Sequence, residues 1–411
     1  MTATPAGGKE IWLFTARFPR GHGEYWLDHE LPYLSRKFKR VVIFPLFWEE
    51  GQRDLPANVV VHQAFKDPFI TADRVQMLRH VRLWVPLVRA LWISAPRTAV
   101  FIRRSREIVS LIKQGLGRTL QFKKRYLPEY DPSTVVMYSN WAQDWATILG
   151  MLRLVRTDLH FVTRLHGFDL YDHRAKDSWQ MFQRFNLEQA SHIYTTSKAG
   201  ADHVLGKYPH FRDKISTSHT ATLDHGPAPW EPAKVFRLVS CANLYPIKRV
   251  PLIAKALAGI EVPVHWTHFG GGEDRELIEQ LANGFPPHVT MELKGAVPNT
   301  EVIEWYKREP ADLFVHVSST EGGVAVALQE AASFGIPLLG ADAGGVSEIV
   351  NSTTGELLPH DVTPELLRRK IEDVARNGFD PLQRERVRLF WKENFHADVV
   401  HEKFVRDLFE R

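Results

Sequence analysis

The sequence predicts an α/β protein built from two doubly wound domains. Three observations carry this. Short apolar runs rich in β-formers alternate with helical patterns through most of the chain, and the alternation occurs twice. The runs are apolar on both faces, as strands of a helix-covered parallel sheet must be. A proline-rich stretch separates the two series, and 411 residues exceed what one ordinary core holds.

In the first series, strands are expected at Glu10–Phe14, Val41–Pro45, Thr134–Tyr138, Phe161–Leu165, Ile193–Thr196 and Lys214–Ser218. This domain is expected to span residues 1–224. Residues 225–235, with Pro227, Pro229 and Pro232, read as a linker, because three prolines forbid a regular helix or a central strand. The second series has strands at Phe236–Ala242, Val264–Phe269, Val289–Leu293, Leu313–Val317 and Pro337–Gly340. Helices at Pro251–Leu257, Arg275–Ala282 and Glu301–Lys307 lie between them. This domain is expected over residues 236–383, with terminal helices from 384 to 411. Ligands of such sheets bind beyond the carboxyl ends of the strands, so functional motifs belong there.

Charge is unevenly placed. Between Arg74 and Arg125 stand thirteen bases and one acid, Glu107, a net +12 in a chain of +4. Such a block implies an anionic partner such as phospholipid or a phosphorylated acceptor. Leu83, Trp84, Leu87, Leu91 and Trp92 interleave with the arginines, as in a helix lying on a membrane surface, and Pro86 and Pro96 are expected to break the stretch. The bland reading is core-packed helices with a solvated basic face. No recognised nucleic-acid module accompanies the block, so nucleic acid is not expected as a partner. No apolar run is long enough to span a membrane, and the first residues lack the pattern of a signal peptide. The single cysteine, Cys241, excludes an intrachain disulfide, and a cytoplasmic location is expected.

The richest region runs from Asp312 to Val350. A strand ends at Ser318-Ser319-Thr320, and Glu321-Gly322-Gly323-Val324 then opens a helix containing Glu330. Another strand leads to Ala343-Gly344-Gly345-Val346-Ser347-Glu348-Ile349. Glycine pairs before helix starts let bare backbone amides approach an anionic or hydroxyl-rich ligand. This ordered run resembles the donor-binding signature of the retaining GT-B glycosyltransferases, specifically glycosyltransferase family 4 of the bacterial surface-polysaccharide type. The resemblance implies two Rossmann-like domains facing a cleft, with the C-terminal helix crossing back to the first domain. In that family two glutamates stand with seven residues between them; the second grips the nucleotide ribose and the first lies by the transferred sugar. Glu330 takes the second place. The family spacing puts the first on Gly322, with Glu321 one residue earlier. A loop longer by one residue keeps Glu321 at the sugar; otherwise that role is lost.

Ser240-Cys241-Ala242-Asn243-Leu244-Tyr245-Pro246-Ile247-Lys248-Arg249 is similar to the family's strand, loop and lysine. It implies that Lys248, with Arg249, neutralises the donor diphosphate, whose charge grows as it departs. Asn243 stands where the family usually has an arginine. Phe269-Gly270-Gly271-Gly272 resembles the family's glycine loop, with Gly271 near the donor, or is a simple tight turn. Lys294-Gly295-Ala296-Val297 matches a loop that meets the base through its main chain, at Gly295 and Val297. In the first domain, His166-Gly167-Phe168-Asp169 ends a strand. The resemblance gives His166 a place at the donor sugar and Asp169 a place beside it. Gly21-His22-Gly23, after the first strand, matches a loop that closes over phosphates or admits acceptor.

The resemblance implies a retaining transfer from a UDP- or GDP-linked sugar to a glycan or lipid-linked acceptor. Lys248, helix ends and loop amides replace a metal; no Asp-x-Asp motif is present, and no metal or other cofactor is expected. Glu321 and Glu330 are read as hydroxyl binders, not as the acid/base pair of a glycoside hydrolase. A catalytically silent relative that binds a nucleotide sugar or a protein partner is the rival reading. An oxidoreductase is disfavoured, since no Gly-x-Gly-x-x-Gly follows the first strand.

Overall fold

The computed structural model describes residues 8–21, 23–51, 53–378 and 382–411. The chain forms two compact units, Met1–Ser218 with His401–Arg411, and His219–Val400.

The first unit holds seven parallel strands: β1 (Glu10–Thr15), β2 (Arg40–Pro45), β3 (Val59–Val61), β4 (Val135–Ser139), β5 (Phe161–Leu165), β6 (His192–Thr195) and β7 (Ile215–Thr217). Their order is β3-β2-β1-β4-β5-β6-β7. The second holds six: β8 (Phe236–Cys241), β9 (Val264–Phe269), β10 (Val289–Gly295), β11 (Leu313–His316), β12 (Leu338–Ala341) and β13 (Gly355–Leu358), in the order β10-β9-β8-β11-β12-β13. Both sheets reverse direction at one place, between β1 and β4 and between β8 and β11. Loops diverge there and leave a crevice at the strand ends. This is the GT-B pair of Rossmann-like domains.

Sequence periodicity located eleven of these strands to within a few residues. The edge strands β3 and β13 were missed; both are mostly only half-buried, and β13 contains Gly355 and Glu356 in place of a continuous apolar run. Residues 225–235 have neither helix nor strand, and they are tied into the second unit. The Ala228 amide donates to the Phe334 carbonyl at 3.0 Å, and Trp230 Nε1 donates to Asp312 Oδ1 at 2.6 Å.

The first core is aromatic: Trp12, Phe14, Phe44, Phe122 and Trp145 interlock above the sheet. A side cluster seats the basic segment, with Leu83, Leu87, Leu91, Ile108, Ile112 and Leu116 packed on Met151, Trp179 and Phe185. The segment is helical at Arg74–Arg79, Val81–Ser94, Thr98–Arg103 and Ser105–Arg125. Pro96 falls between helices as expected. Pro86 does not break the chain; it lies inside Val81–Ser94. That helix buries Leu83, Leu87, Ala90 and Leu91 on one face, and this packing offsets the one hydrogen bond a proline removes.

The last helix, Ala397–Glu410, begins in the second unit and from His401 belongs to the first. There the Phe409 carbonyl accepts from Lys9 Nζ at 2.7 Å, and the Arg164 guanidinium lies 4.0 Å from the Phe404 ring centroid. No helix among the described residues is long and apolar enough to cross a membrane.

Candidate functional site

In the second unit the switch point is flanked by the loops after β8 and β11. The first turns through Pro246–Lys248, where the chain tightens into a 3₁₀ turn. The second leaves β11 at His316 and reaches Glu321. Two donors meet at one oxygen: Glu321 Oε1 accepts from Lys248 Nζ at 2.5 Å and from His316 Nε2 at 3.0 Å. His316 therefore carries its proton on Nε2. Burial alone would raise the Glu321 carboxyl, but the His316 hydrogen bond and the Lys248 charge outweigh it. They hold the group ionised well below the usual carboxylate range.

Glu330 lies on helix Val326–Ser333 and is also buried. Its Oε1 accepts from Asn299 Nδ2 at 2.8 Å. Burial pushes its carboxyl up to about 7 against that hydrogen bond. Cys241, at the end of β8, joins the two groups electrostatically. Burial raises its thiol to about 12, Glu330 adds to the rise, and Lys248 opposes it. Lys248 follows β8, and Glu321 and Glu330 follow β11, the two strands at the switch point.

Other expected site residues have structural tasks. Arg249 adopts a left-handed backbone, φ 51°, and aims its guanidinium at main-chain carbonyls. Nε donates to Val317 at 2.7 Å, Nη1 to His360 at 2.9 Å and Nη2 to Ser318 at 3.1 Å. It braces the end of β11 beside Lys248. The triple glycine turn is zipped to the loop after β8: a Cβ on Gly270 would sit 1.8 Å from the Ala242 carbonyl oxygen, and one on Gly272 2.4 Å from that of Leu244. The close approach that requires these glycines is to the chain itself. Gly271 lies over Ala296, and the Gly295 carbonyl accepts from the Gly270 amide at 2.9 Å. Val297 packs partly buried against the core, and Val324 is fully within it. Gly322 and Gly323 precede an α-helix, as expected. Gly344 and Gly345 do not; only the 3₁₀ turn Val346–Glu348 follows them. A Cβ on Gly345 would lie 2.7 Å from the Gly323 carbonyl, so this second pair serves contact between two loops.

In the first unit the corresponding place is organised by Glu24, which sequence reading did not select. Its carboxylate accepts from the amides of Ala16 (3.1 Å), Arg17 (2.8 Å) and Phe18 (2.8 Å), from Asn140 Nδ2 (3.1 Å) and from Trp141 Nε1 (2.8 Å). One side chain thereby fixes the loops after β1 and β4. Gly21, φ 61°, lies against Glu49, and Gly23, φ 101°, has open space around it. His22 lies outside the described residues.

His166 sits between two indoles, with ring centroids 4.7 Å from Trp26 and 4.6 Å from Trp141. Its Nε2 lies 3.0 Å from the Asn140 carbonyl and must be the protonated nitrogen. Burial, helped by the Arg164 charge, lowers its pKa to about 3, so it is neutral and Nδ1 keeps its lone pair. Asp169 staples β4 to β5: its carboxylate accepts from the His166 amide at 2.7 Å and the Ala142 amide at 2.8 Å. Burial raises it to about 7 against those bonds.

His316 and His268 also escaped sequence reading. His268 rivets β9 to the loop after β8, through Ser240 Oγ at 2.8 Å and the Ala242 carbonyl at 3.2 Å. Each is a histidine in a strand, and nothing in its neighbours marks it. For Glu24, the signal was a carboxylate just after a glycine loop.

Residues 229–389 match the family of glycosyl transferases group 1. An uncharacterized glycosyltransferase of Methanocaldococcus jannaschii is 22% identical over 241 residues, 55% of this chain and 59% of that relative, so less than two thirds of the relative is covered. Among solved structures, Anabaena HepE in complex with UDP-glucose is similar with a TM-score of 0.64 at 15% identity, over 97% of this chain and 99% of that one. The lipopolysaccharide outer core galactosyltransferase WaaB gives 0.65 at 13% identity, over 98% and 99%. At such identities the structural likeness establishes the fold.

Proposed function

We propose that this chain is a retaining, metal-independent glycosyltransferase of family 4, moving a hexose from a nucleoside diphosphate sugar to a glycan or lipid-linked acceptor in surface-polysaccharide synthesis. One observation carries the reading: Lys248, Glu321 and His316 converge at the switch point of the sheet that the glycosyltransferase family covers, with Glu330 on the helix that follows β11. Lys248 supplies the cation for the departing diphosphate, in place of a metal. Glu321, kept ionised, accepts from hydroxyls of the transferred sugar, and Glu330 from the ribose. His166 offers the Nδ1 lone pair of a neutral ring to a further hydroxyl. Gly21, Gly23, Gly271, Gly295, Val297, Gly322, Gly323 and Val324 contribute backbone surface, and Arg249 and Asp169 hold the loops that carry Lys248 and His166. HepE was solved with UDP-glucose, which makes a uridine diphosphate hexose the first donor to try.

The test is a panel of UDP- and GDP-sugars screened by thermal shift, followed by nucleotide release with and without EDTA and NMR assignment of the product anomer. Binding without release under all acceptors would favour the silent relative. An inverted product, or turnover abolished by EDTA, would overturn the mechanism.

The location we propose is cytoplasmic, on the inner face of the membrane. The basic helices expose Val75, Leu78, Val85, Trp92, Ile93 and Ile102 among exposed Arg74, Arg79, Arg82, Arg89 and Arg103. Apolar side chains set among bases suit an anionic lipid surface. Sedimentation with anionic but not neutral liposomes is expected, weakening with salt. Failure to bind at low salt would refute it.

A further inference from the structure

The first unit contains two neighbouring cavities, of about 210 and 280 Å³, each a little smaller than a typical drug-sized ligand pocket. Gln143, Asp144 and Phe168 line both. One continues past Trp141 to Arg17. The other continues to Arg174 and Lys176.

Their common wall has two unusual features. Phe168 is 62% exposed, and its backbone carbonyl accepts from Gln180 Nε2 at 2.6 Å. An exposed aromatic ring at a cavity wall offers the apolar CH face of a pyranose a surface to cover. Asp144 has φ 39° and ψ −82°, a strained backbone for a residue with a side chain. Arg118 holds its carboxylate at 2.9 Å, while half of the side chain stays exposed at the cavity mouth. Ring hydroxyls would find their acceptor there.

Three cations, Arg104, Arg174 and Lys176, and two carboxylates, Asp144 and Asp169, line the far cavity. Asp169 spends its carboxylate on backbone amides, and Arg104 is paired with Glu107. Lys176 stays 71% exposed and meets Glu107 at only 3.9 Å, and Arg174 stands beside it on the wall. We infer that these adjoining cavities bind a saccharide bearing an anionic substituent, with its ring on Phe168, its hydroxyls at Asp144 and its anionic group toward Arg174 and Lys176. This rests on the glycosyltransferase reading and specifies the acceptor: a glycosyl phosphate or an acidic sugar.

The experiment is titration of the full chain by ligand-observed NMR with glucose 1-phosphate, glucuronate, methyl glucoside and inorganic phosphate. UDP affinity is measured in parallel on each variant. At least one anionic sugar is expected to bind about tenfold more tightly than methyl glucoside and than phosphate alone; which one does so identifies the anionic group. Arg174→Ala with Lys176→Ala, or the exposed charge reversal Lys176→Glu, should remove that advantage and leave methyl glucoside unchanged. Phe168→Ala should weaken all the sugars. UDP affinity should not move. Equal binding of neutral and anionic sugars, an advantage that survives both charge variants, phosphate alone matching the sugars, or no sugar binding at all would each overturn the inference. Loss of UDP binding by the wild-type chain, with the anionic preference intact, would instead defeat the donor assignment and leave this site standing.

Discussion

Lys248 Nζ and His316 Nε2 donate to the same oxygen of Glu321, at 2.5 and 3.0 Å. The carboxylate is thus held from two strands of one sheet, through the loop after β8 and through β11 itself. Burying a charge is costly unless it is paired and hydrogen-bonded, and here both conditions are met.

Lys248→Ala should reduce kcat/KM by about 10²–10³, the scale of removing one electrostatic stabiliser of a developing charge. Lys248→Arg should restore part of it, because the charge returns in a different shape. Steady-state kinetics with the best donor, alongside circular dichroism to establish folding, measure this. Wild-type kinetics in the alanine variant would remove Lys248 from the site.

His316 acts through Glu321 and is a positioning residue. One hydrogen bond to a buried charge is worth about 1.5–3 kcal/mol, so His316→Ala should lower kcat by tenfold or more. His316→Asn retains a donor on a shorter side chain and should recover part of the loss. The split between kcat and KM is informative, since a purely structural role predicts loss of stability with kcat intact in the folded fraction.

Glu330 makes an opposed pair of predictions. Its folded-state pKa, about 7, lies above the usual 4.5 of a glutamate. For an acid, this means that the fold disfavours the carboxylate. Stability falls as pH rises from about 4.5 to about 7 and is level above that, by roughly 3 kcal/mol at most. Glu330→Gln removes the charge, so it should melt higher than wild type at pH 8 and match it near pH 4. Ribose hydroxyls need the ionised acceptor, so wild-type affinity for UDP should weaken below about pH 7. The glutamine variant should bind poorly at every pH, and its profile separates Glu330 from the phosphate's own titration. Calorimetry and isothermal titration read the two effects. A variant that binds UDP as wild type does would end the ribose assignment.

The strands and the Gly322-Gly323 turn into a helix were legible because their signals are local. A buried parallel strand must be apolar on both faces, which the runs at Phe161–Leu165 and Val264–Phe269 display. The Gly322-Gly323 pair followed by Glu330 is likewise contiguous in sequence. What escaped is set by contacts distant in the chain. His316 and Lys248 lie 68 residues apart in number, and only the β8–β11 pairing brings their ends together. Gly270 and Gly272 look like ligand-facing glycines, yet their neighbours are the carbonyls of Ala242 and Leu244. Pro86 reads as a helix break by propensity alone, yet the packing of Leu83 and Leu87 beneath it keeps the helix continuous.

Glu24 offers a test of organisation in the first unit. Its carboxylate holds the amides of Ala16, Arg17 and Phe18 and the side chains of Asn140 and Trp141, and its own backbone is left-handed, φ 51°. Removing it leaves several donors without an acceptor, each worth about 1–3 kcal/mol where buried. Glu24→Ala should therefore lower the melting temperature of the first unit and speed amide exchange at Arg17 and Phe18. Glu24→Gln keeps one acceptor oxygen but places an amide donor against backbone N–H groups, so it should fall between the two. UDP binding should survive in both variants, because the residues assigned to the nucleotide lie in the second unit. Exchange at Arg17 and Phe18 unchanged in the alanine variant would show that other contacts hold this loop.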